Sequence, residues 1–357
     1  MSGNQARRPD AGEPEITGGE HGMTRRQLMR HTAWFGAAVV LTVAGGEVIS
    51  HVAGDGPAAA AADSTTALRF VQVSDSHLGF KGPANLDVAA TFGAAINQIN
   101  SLGFEPDFVM HSGDITHLTL ASEFGQAKEM MADIRTPRVF TVPGEHDTIN
   151  DRGRMYRQFF GAGTLGDGWF SFDVGGVHFI SLVNTTSVDA LGYLGPDQLD
   201  FVRRDVASLS AETPIVLFSH IPLYAMYPRW GWGTSDAVTL LGMLRRFGSV
   251  TALNGHVHQV FTKTEGNVTF YSAAATCYPL PEPGQAPAPL PVTLPAGELT
   301  AALGVRTGSP IFLIERTSFC EGPRPVDYER LYYRGDQVRF VTRLARRAKT
   351  RAKGGRR

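Results

Sequence analysis

Three short apolar runs, separated by helix-patterned stretches and each ending in polar groups, limit what this chain can fold into. The first, residues 68–73, runs straight into Asp75-Ser76-His77. In residues 86–102, Val88, Phe92, Ala95, Ile96 and Ile99 fall near the i, i+3, i+4 spacing of one buried helical face. Residues 107–111 then form a second strand-like run, ending in Ser112-Gly113-Asp114. A second helical stretch, 121–134, separates it from residues 138–142, which pass through Pro143-Gly144 to Glu145-His146-Asp147. Strand, polar loop, helix, strand is the pattern of a parallel sheet, whose crossovers put every strand's carboxyl end on one edge. Carboxylates and imidazoles at three successive strand ends therefore gather in one place, where α/β sheets build their sites.

Farther along, the pattern is mixed. Residues 169–174 and 177–183, joined by Gly175-Gly176, predict a β-hairpin. Residues 196–208 predict a helix, and 215–218 a strand ending in Ser219-His220. An aromatic loop follows at 224–232, a candidate wall for a substrate cleft or ordinary packing. After a helical stretch at 236–247, the strand 250–253 leads into Asn254-Gly255-His256-Val257-His258, and 260–275 reads as two antiparallel strands. Residues 279–300, dense in Pro and Ala, read as an extended or mobile insertion loop, because strand-like runs resume at 311–314, 328–333 and 338–341.

A chain of 357 residues that is 43% hydrophobic can bury the core of one large α/β domain, placed at 63–342. The formal net charge of -1 hides a division: the tail 343–357 holds eight Lys or Arg and no acid, which leaves 63–342 eight charges net negative. An acidic body disfavours a general nucleic-acid binder. The basic tail reads as solvated, with contact to an anionic surface as its functional alternative. Two cysteines, Cys277 and Cys320, allow either one bridge or two buried thiols, but not a disulfide framework or a thiolate metal site.

Residues 1–22 are polar and aperiodic, and read as disordered. Then come Arg25-Arg26-Gln27-Leu28-Met29-Arg30, an apolar run at 33–44 and the small residues 58–62. Charged region, short apolar region and small-residue cleavage site in that order resemble a bacterial twin-arginine export signal, which assigns 1–62 to an N-terminal signal segment. The resemblance implies an exported protein (periplasmic, secreted or cell-envelope), the export machinery as a partner and a cofactor loaded before export. The apolar run is short for a bilayer span and is broken by Gly45, Gly46 and Glu47. An amphipathic first helix is the alternative.

Together the strand ends supply Asp75, His77, Asp114, Glu145, His146, His220, His256 and His258. All are oxygen or imidazole donors, a set that suits Mn, Fe or Zn in a hydrolytic site. They are too many for one ion but enough for two that share a bridging carboxylate, with an imidazole left for acid/base work. In Asp75-x-His77 and His256-x-His258 a spacing of two along an extended segment puts both side chains on one side.

These motifs resemble the five ordered motifs of the calcineurin-like metallophosphoesterases: Asp75-x-His77, Gly113-Asp114, Gly144-Glu145-His146-Asp147, His220 after a strand, and Gly255-His256-x-His258. The resemblance covers roughly residues 68–275. It implies an α/β fold, a two-sheet β-sandwich flanked by helices, and an enzyme that cleaves phosphomonoesters or phosphodiesters with two divalent or trivalent ions. By that resemblance Asp75, His77 and His258 hold the first metal, His220 and His256 the second, and Asp114 bridges them. Position 145 completes the second site, while His146 faces the phosphate and leaving group with Asp147 orienting its ring. The implied nucleophile is a hydroxide shared by the metals, attacking in line. The family usually has Asn where this chain has Glu145, which adds a methylene and a negative charge.

The remaining histidines are less specific. His111, inside its strand, reads as a packed core residue, and His178, in the hairpin, as structural; His117 is a candidate substrate-binding or supporting residue. The substrate expected is a phosphate-ester small molecule or a lipid headgroup. A non-catalytic metal-binding or scaffold protein of the same fold and a nuclease are the alternatives.

Overall fold

The protein is described by a computed structural model covering residues 39–44, 47–52, 68–187, 191–292, 311–319 and 325–334. Among these residues two sheets stack face to face. The first is built on β3 (Leu68–Val73), β4 (Phe108–His111) and β5 (Val139–Thr141), all parallel, with helices α1 (Val88–Asn100) and α2 (Ala121–Ala132) as the crossovers. The second has strands β6 (Phe170–Val174), β7 (Val177–Ser181), β8 (Ile215–Phe218), β9 (Val250–Asn254), β10 (Phe261–Glu265) and β11 (Val268–Ser272) in the spatial order β10-β11-β9-β8-β7-β6. Its middle strands are parallel, and each edge is an antiparallel hairpin arm. The β6–β7 turn is Gly175-Gly176, both at positive φ, as the expected two-residue hairpin requires.

Side-chain alternation along the strands explains the layering. On β3, Leu68 and Phe70 point between the sheets, while Val71 and Val73 point outward under α1 and α2, against Phe92, Ile96 and Phe124. The second sheet repeats this: Phe179, Val216 and Phe218 face inward, and Ile180, Ile215 and Leu217 pack under the helix α4 (Pro196–Asp205). The space between the sheets is filled by aromatic rings. Phe70 stacks on Phe108 at 4.7 Å, and both meet the ring of Phe179 edge-on at 5.5 and 5.1 Å. Each such buried ring contributes about 2 kcal/mol by the apolar area it removes from water.

Other segments sharpen the sequence reading. A short helix α3, Arg154–Phe160, lies between β5 and β6 where the sequence shows no clear periodicity, and the last sheet-side helix, α5, is Ala237–Met243. Within the segment assigned to the export signal, β1 (Val39–Ala44) and β2 (Glu47–Val52) form a hairpin, and β1 pairs antiparallel with β3. The Arg25-Arg26 pair lies outside the described residues, as do Cys320, residues 338–341 and the basic tail. Residues 279–292 contain no helix or strand, yet they are fastened down rather than loose: Gln259 donates to the carbonyls of Leu280 and Pro281, and Leu280 is buried. Strands β12 (Ile311–Phe319) and β13 (Pro325–Arg334) pair with each other.

Candidate metal centre

Every expected ligand sits on a loop just past the carboxyl end of a strand, and the loops are stitched to one another by their backbones. Asp75 N–H donates to Gly113 C=O, His77 N–H to Asp114 C=O, and Gly255 N–H to His220 C=O. Asp75, His77, Asp114, His256 and His258 all adopt left-handed backbone, with φ between 42° and 69°. That conformation is uncommon for side chains other than Asn, Asp and His, and it clusters where function demands it. The glycines ahead of three ligands are there for space. A Cβ on Gly144 would lie 2.0 Å from Asp114 Oδ1, one on Gly255 2.6 Å from Asp75 Oδ2, and one on Gly113 2.5 Å from His220 Nδ1.

Asp114 stands at the centre. Its Oδ2 is 3.3 Å from both His77 Nε2 and His220 Nε2, and its Oδ1 accepts the His146 backbone N–H at 2.9 Å. On one side, Asp75, His77 and Asp114 form a group of converging donor atoms, with His258 Nε2 3.3 Å from Asp75 Oδ1. On the other side Glu145 sits between His220 and His256, one carboxylate oxygen 3.0 Å from His220 Nε2 and the other 2.8 Å from His256 Nδ1. Despite these approaches, His77 Nε2, His220 Nε2, Glu145 Oε2 and both ring nitrogens of His256 are buried without a hydrogen-bond partner. Buried polar atoms are almost always satisfied, so several orphans converging on one spot mark a place suited to a cation. The far ring nitrogens are spoken for: His220 Nδ1 donates to Ser112 C=O at 2.8 Å and His258 Nδ1 to Tyr278 C=O at 2.6 Å, leaving each Nε2 lone pair directed inward.

The electrostatics agree. Burial works to raise the Glu145 carboxyl, but His256 and His220 hold it well below the usual range, and Asp75 is likewise lowered by His258 and His220 against its burial. Burial works to lower His220, yet Asp114 and Glu145 push it well above its ordinary value. Three buried carboxylates that raise the proton affinity of a nearby imidazole raise cation affinity in the same way. The residues present fit bound metal cations.

One expected role is not borne out. Asp147 does not touch the His146 ring; its carboxylate accepts from the backbone N–H groups of Gly144, Ile115 and Thr116 and from the Thr116 hydroxyl, at 2.8–3.0 Å. It braces the Glu145–Asp147 turn against the Asp114 loop, a role its buried position and four donors dictate. The His146 ring is held instead by the backbone carbonyl of His117, which accepts from Nδ1 at 2.8 Å, a contact with no sequence signature. The His117 side chain lies on the site, 3.2 Å from His77 Nδ1 and stacked on His146 at 4.8 Å.

The other histidines take structural places. His111 is buried under Phe92, bonded to the Ser76 hydroxyl, and burial lowers it to about 3. His178 is clamped between Asp173 and Asp205, each at 2.9 Å. In the aromatic loop Trp232 is buried in the core and stacks edge-on with Trp230, which favours packing over a cleft wall. Cys277 is a buried free thiol, 3.8 Å from His258 Nδ1. Tyr278, not singled out in the sequence, packs within 5.1 Å of both the His77 and His258 rings.

Comparison with known proteins adds descent to this geometry. The family model for calcineurin-like phosphoesterases matches residues 68–260, and a second, for the UTRA domain, matches 283–339. Among curated proteins, the 3',5'-cyclic adenosine monophosphate phosphodiesterase CpdA of Pseudomonas aeruginosa is 27% identical over 58% of this chain and 76% of its own length. The probable glycerophosphodiester phosphodiesterase GpdQ of Arcobacter nitrofigilis is 24% identical over 57% of this chain and 77% of its own. Among solved structures, a dimetal phosphatase from Danio rerio superposes with a TM-score of 0.46, at 17% identity over 58% of this chain and 87% of that one.

Proposed function

The chain belongs to the calcineurin-like phosphoesterase family, metal-dependent phosphoric ester hydrolases, and from that premise we propose that it cleaves phosphodiesters or phosphomonoesters at a two-metal centre. The observation that carries the reading is the set of buried, unpartnered donor atoms converging around Asp114 from four loops. Asp75, His77 and His258 would hold one ion, Glu145, His220 and His256 the other, and Asp114 would reach both. Ions bound there supply Lewis acidity to the phosphoryl oxygens and a water acidic enough to act as nucleophile near neutral pH.

The chain's own groups do the rest. His146 has its Nδ1 fixed on the His117 carbonyl, which leaves Nε2 to hand a proton to the departing oxygen, a step worth about 10² to 10⁴ in rate. The backbone bond from His146 N–H to Asp114 Oδ1 ties that acid to the centre of the site. Leu118, Leu120 and Ile149 are exposed on the loops that carry His117 and His146, and Asn150 fastens the two loops together through the Leu118 carbonyl. An apolar rim beside a phosphate site favours an ester with one apolar alcohol portion, as where a phosphate joins a lipid to its headgroup.

We further propose export by a twin-arginine route, supported by Arg25-Arg26 ahead of the apolar run. Changing both arginines to lysine should hold the protein inside the cell; normal export of that variant would refute the route. For the activity, protein loaded with Mn or Fe should carry close to two ions per chain and hydrolyse bis-p-nitrophenyl phosphate, and Asp114→Ala should abolish both. Unchanged turnover in Asp114→Ala would mean the site is misplaced. Failure to bind any ion would favour the scaffold alternative.

A further inference from the structure

Beside His146, the histidine assigned to the leaving group, stands His117, which is neither buried in the core nor among the expected ligands. We propose that its side chain serves the site from both edges: Nδ1 accepts the hydrogen bond that fixes His77 as a ligand through Nε2, and Nε2–H is thereby presented to a non-bridging oxygen of the substrate phosphate. This rests on the two-metal reading above.

The argument is a count of protons on two rings. His77 Nε2 is buried, has no hydrogen-bond partner and faces Asp114 Oδ2 at 3.3 Å, so it is the ligand atom and carries no proton. A neutral imidazole then has its proton on the other nitrogen. His77 Nδ1 is 3.2 Å from His117 Nδ1, and in a nitrogen-to-nitrogen hydrogen bond one partner must donate and the other accept. His77 is the donor, so His117 Nδ1 is the acceptor, and the proton of its own neutral ring must sit on Nε2. Metal-ligating histidines are oriented in just this way by an acceptor behind them, usually a carboxylate or carbonyl. Here an imidazole fills that place.

What an imidazole adds is a second edge. His117 makes no hydrogen bond through Nε2 to any described residue, and the ring is only half-buried, whereas His77, His220 and His258 are buried. It stacks on His146 with the planes 15° apart, and it meets Phe80 in a T-shaped contact at 5.1 Å, so two rings restrain its tilt. The free N–H, on a ring more exposed than those of His77, His220 and His258, is the group assigned to the substrate phosphate, and that ring stacks on the one assigned to the leaving group. The backbone carbonyl of His117 orients that second ring independently of its side chain, so side-chain substitutions leave the His146 bond in place.

Two substitutions separate the two edges. In His117→Asn the amide oxygen falls near the place of Nδ1 and keeps the acceptor, but nothing reaches the place of Nε2; His117→Ala removes both. The readouts are the affinity of the purified protein for Mn(II), followed by electron paramagnetic resonance, and the affinity of the Mn-loaded protein for inorganic phosphate by calorimetry. We expect His117→Ala to weaken Mn binding by about 10- to 100-fold, the usual effect of losing a group behind a ligand, and His117→Asn to stay within about threefold of wild type. Phosphate binding should fall about tenfold in His117→Asn, the effect of one lost hydrogen bond to a charged oxygen. Wild-type Mn affinity in His117→Ala would overturn the role toward His77, and wild-type phosphate affinity in His117→Asn the role toward substrate. Neither readout depends on turnover, so a wild-type protein that binds Mn and phosphate but hydrolyses no ester would refute the proposed activity while these comparisons still decide the role of His117.

Discussion

Glu145 Oε1 lies 2.8 Å from His256 Nδ1, a distance at which a hydrogen bond would be expected, yet the imidazole nitrogen is unpartnered because the two groups point at a common spot rather than at each other. That arrangement lets Glu145 serve as a ligand beside His220 and His256, and it brings a third carboxylate to a place where the family usually has Asn. Added negative charge favours more highly charged ions and weakens their pull on a bound water. Glu145→Asn should therefore lower affinity for Fe(III) relative to Zn(II) by about tenfold or more, measured by competitive loading and elemental analysis. The acidic limb of its pH–rate profile should move to lower pH. An unchanged metal ratio would make Glu145 a bystander.

Gly144 tests how tightly the loops are fitted. A methyl group there would fall 2.0 Å from Asp114 Oδ1, which the His146 N–H holds, and 2.3 Å from the backbone nitrogen of Asp114, whose own carbonyl accepts from His77 N–H. Gly144→Ala should hold less than one ion per chain and lose at least about 100-fold in kcat/KM, because misplacement of about 1 Å at a reacting centre costs that much. Circular dichroism should still show a folded chain, since the clash is confined to the loops.

Asp147 is predicted to be a brace. Four N–H or O–H donors converge on its carboxylate, three of them backbone N–H groups that can only donate, so Asp147→Asn turns an amide NH₂ toward donors. The expected cost is about 1–3 kcal/mol in urea unfolding, with kcat lowered and the shape of the pH–rate profile preserved. A profile that lost its basic limb would return Asp147 to the role of orienting His146.

His178 gives a pH dependence far from the metal ligands. Burial works to lower its pKa, but the hydrogen bonds its ring donates to Asp205 and Asp173 raise it above the ordinary value. A folded-state pKa above the unfolded one means that its contribution is fully present below about pH 6.5 and fades as pH rises through the folded value. His178→Gln should thus destabilise by about 1 kcal/mol at pH 5.5 and by clearly less at pH 9, with most of the effect owed to Asp205, since Asp173 is largely exposed and screened. Urea midpoints of the two proteins at both pH values would check it; a pH-independent difference would contradict the assignment.

The strand ends were legible because their chemistry and their periodicity coincide: apolar residues at strand spacing, then a glycine or serine, then a ligand. Helices α1 and α2 read correctly for the same reason, a buried face at regular spacing. Helix α3 was not legible, because seven residues with one fully buried side chain, Tyr156, leave too short a pattern. Asp147 was misread because sequence adjacency to His146 suggests contact, whereas its carboxylate is taken up by Gly144, Ile115 and Thr116. The support from the His117 carbonyl could not have been seen at all, since a backbone acceptor leaves no residue type behind. Tyr278 likewise reaches the ligand rings only because residues beyond 275 fold back across the first sheet, a consequence of tertiary packing.

The donor set is divided between the two sheets: Asp75, His77, Asp114 and Glu145 follow strands of the first, and His220, His256 and His258 follow strands of the second. Any cation seated among them would act as a rivet through both plates of the sandwich at one edge, a cross-link of the kind that a chain with two cysteines can hardly supply otherwise. Loss of the ions would then do more than stop chemistry. It would unfasten that edge, so the loops that shape the substrate's entry would slacken together while the aromatic layer between the sheets kept the rest of the fold closed.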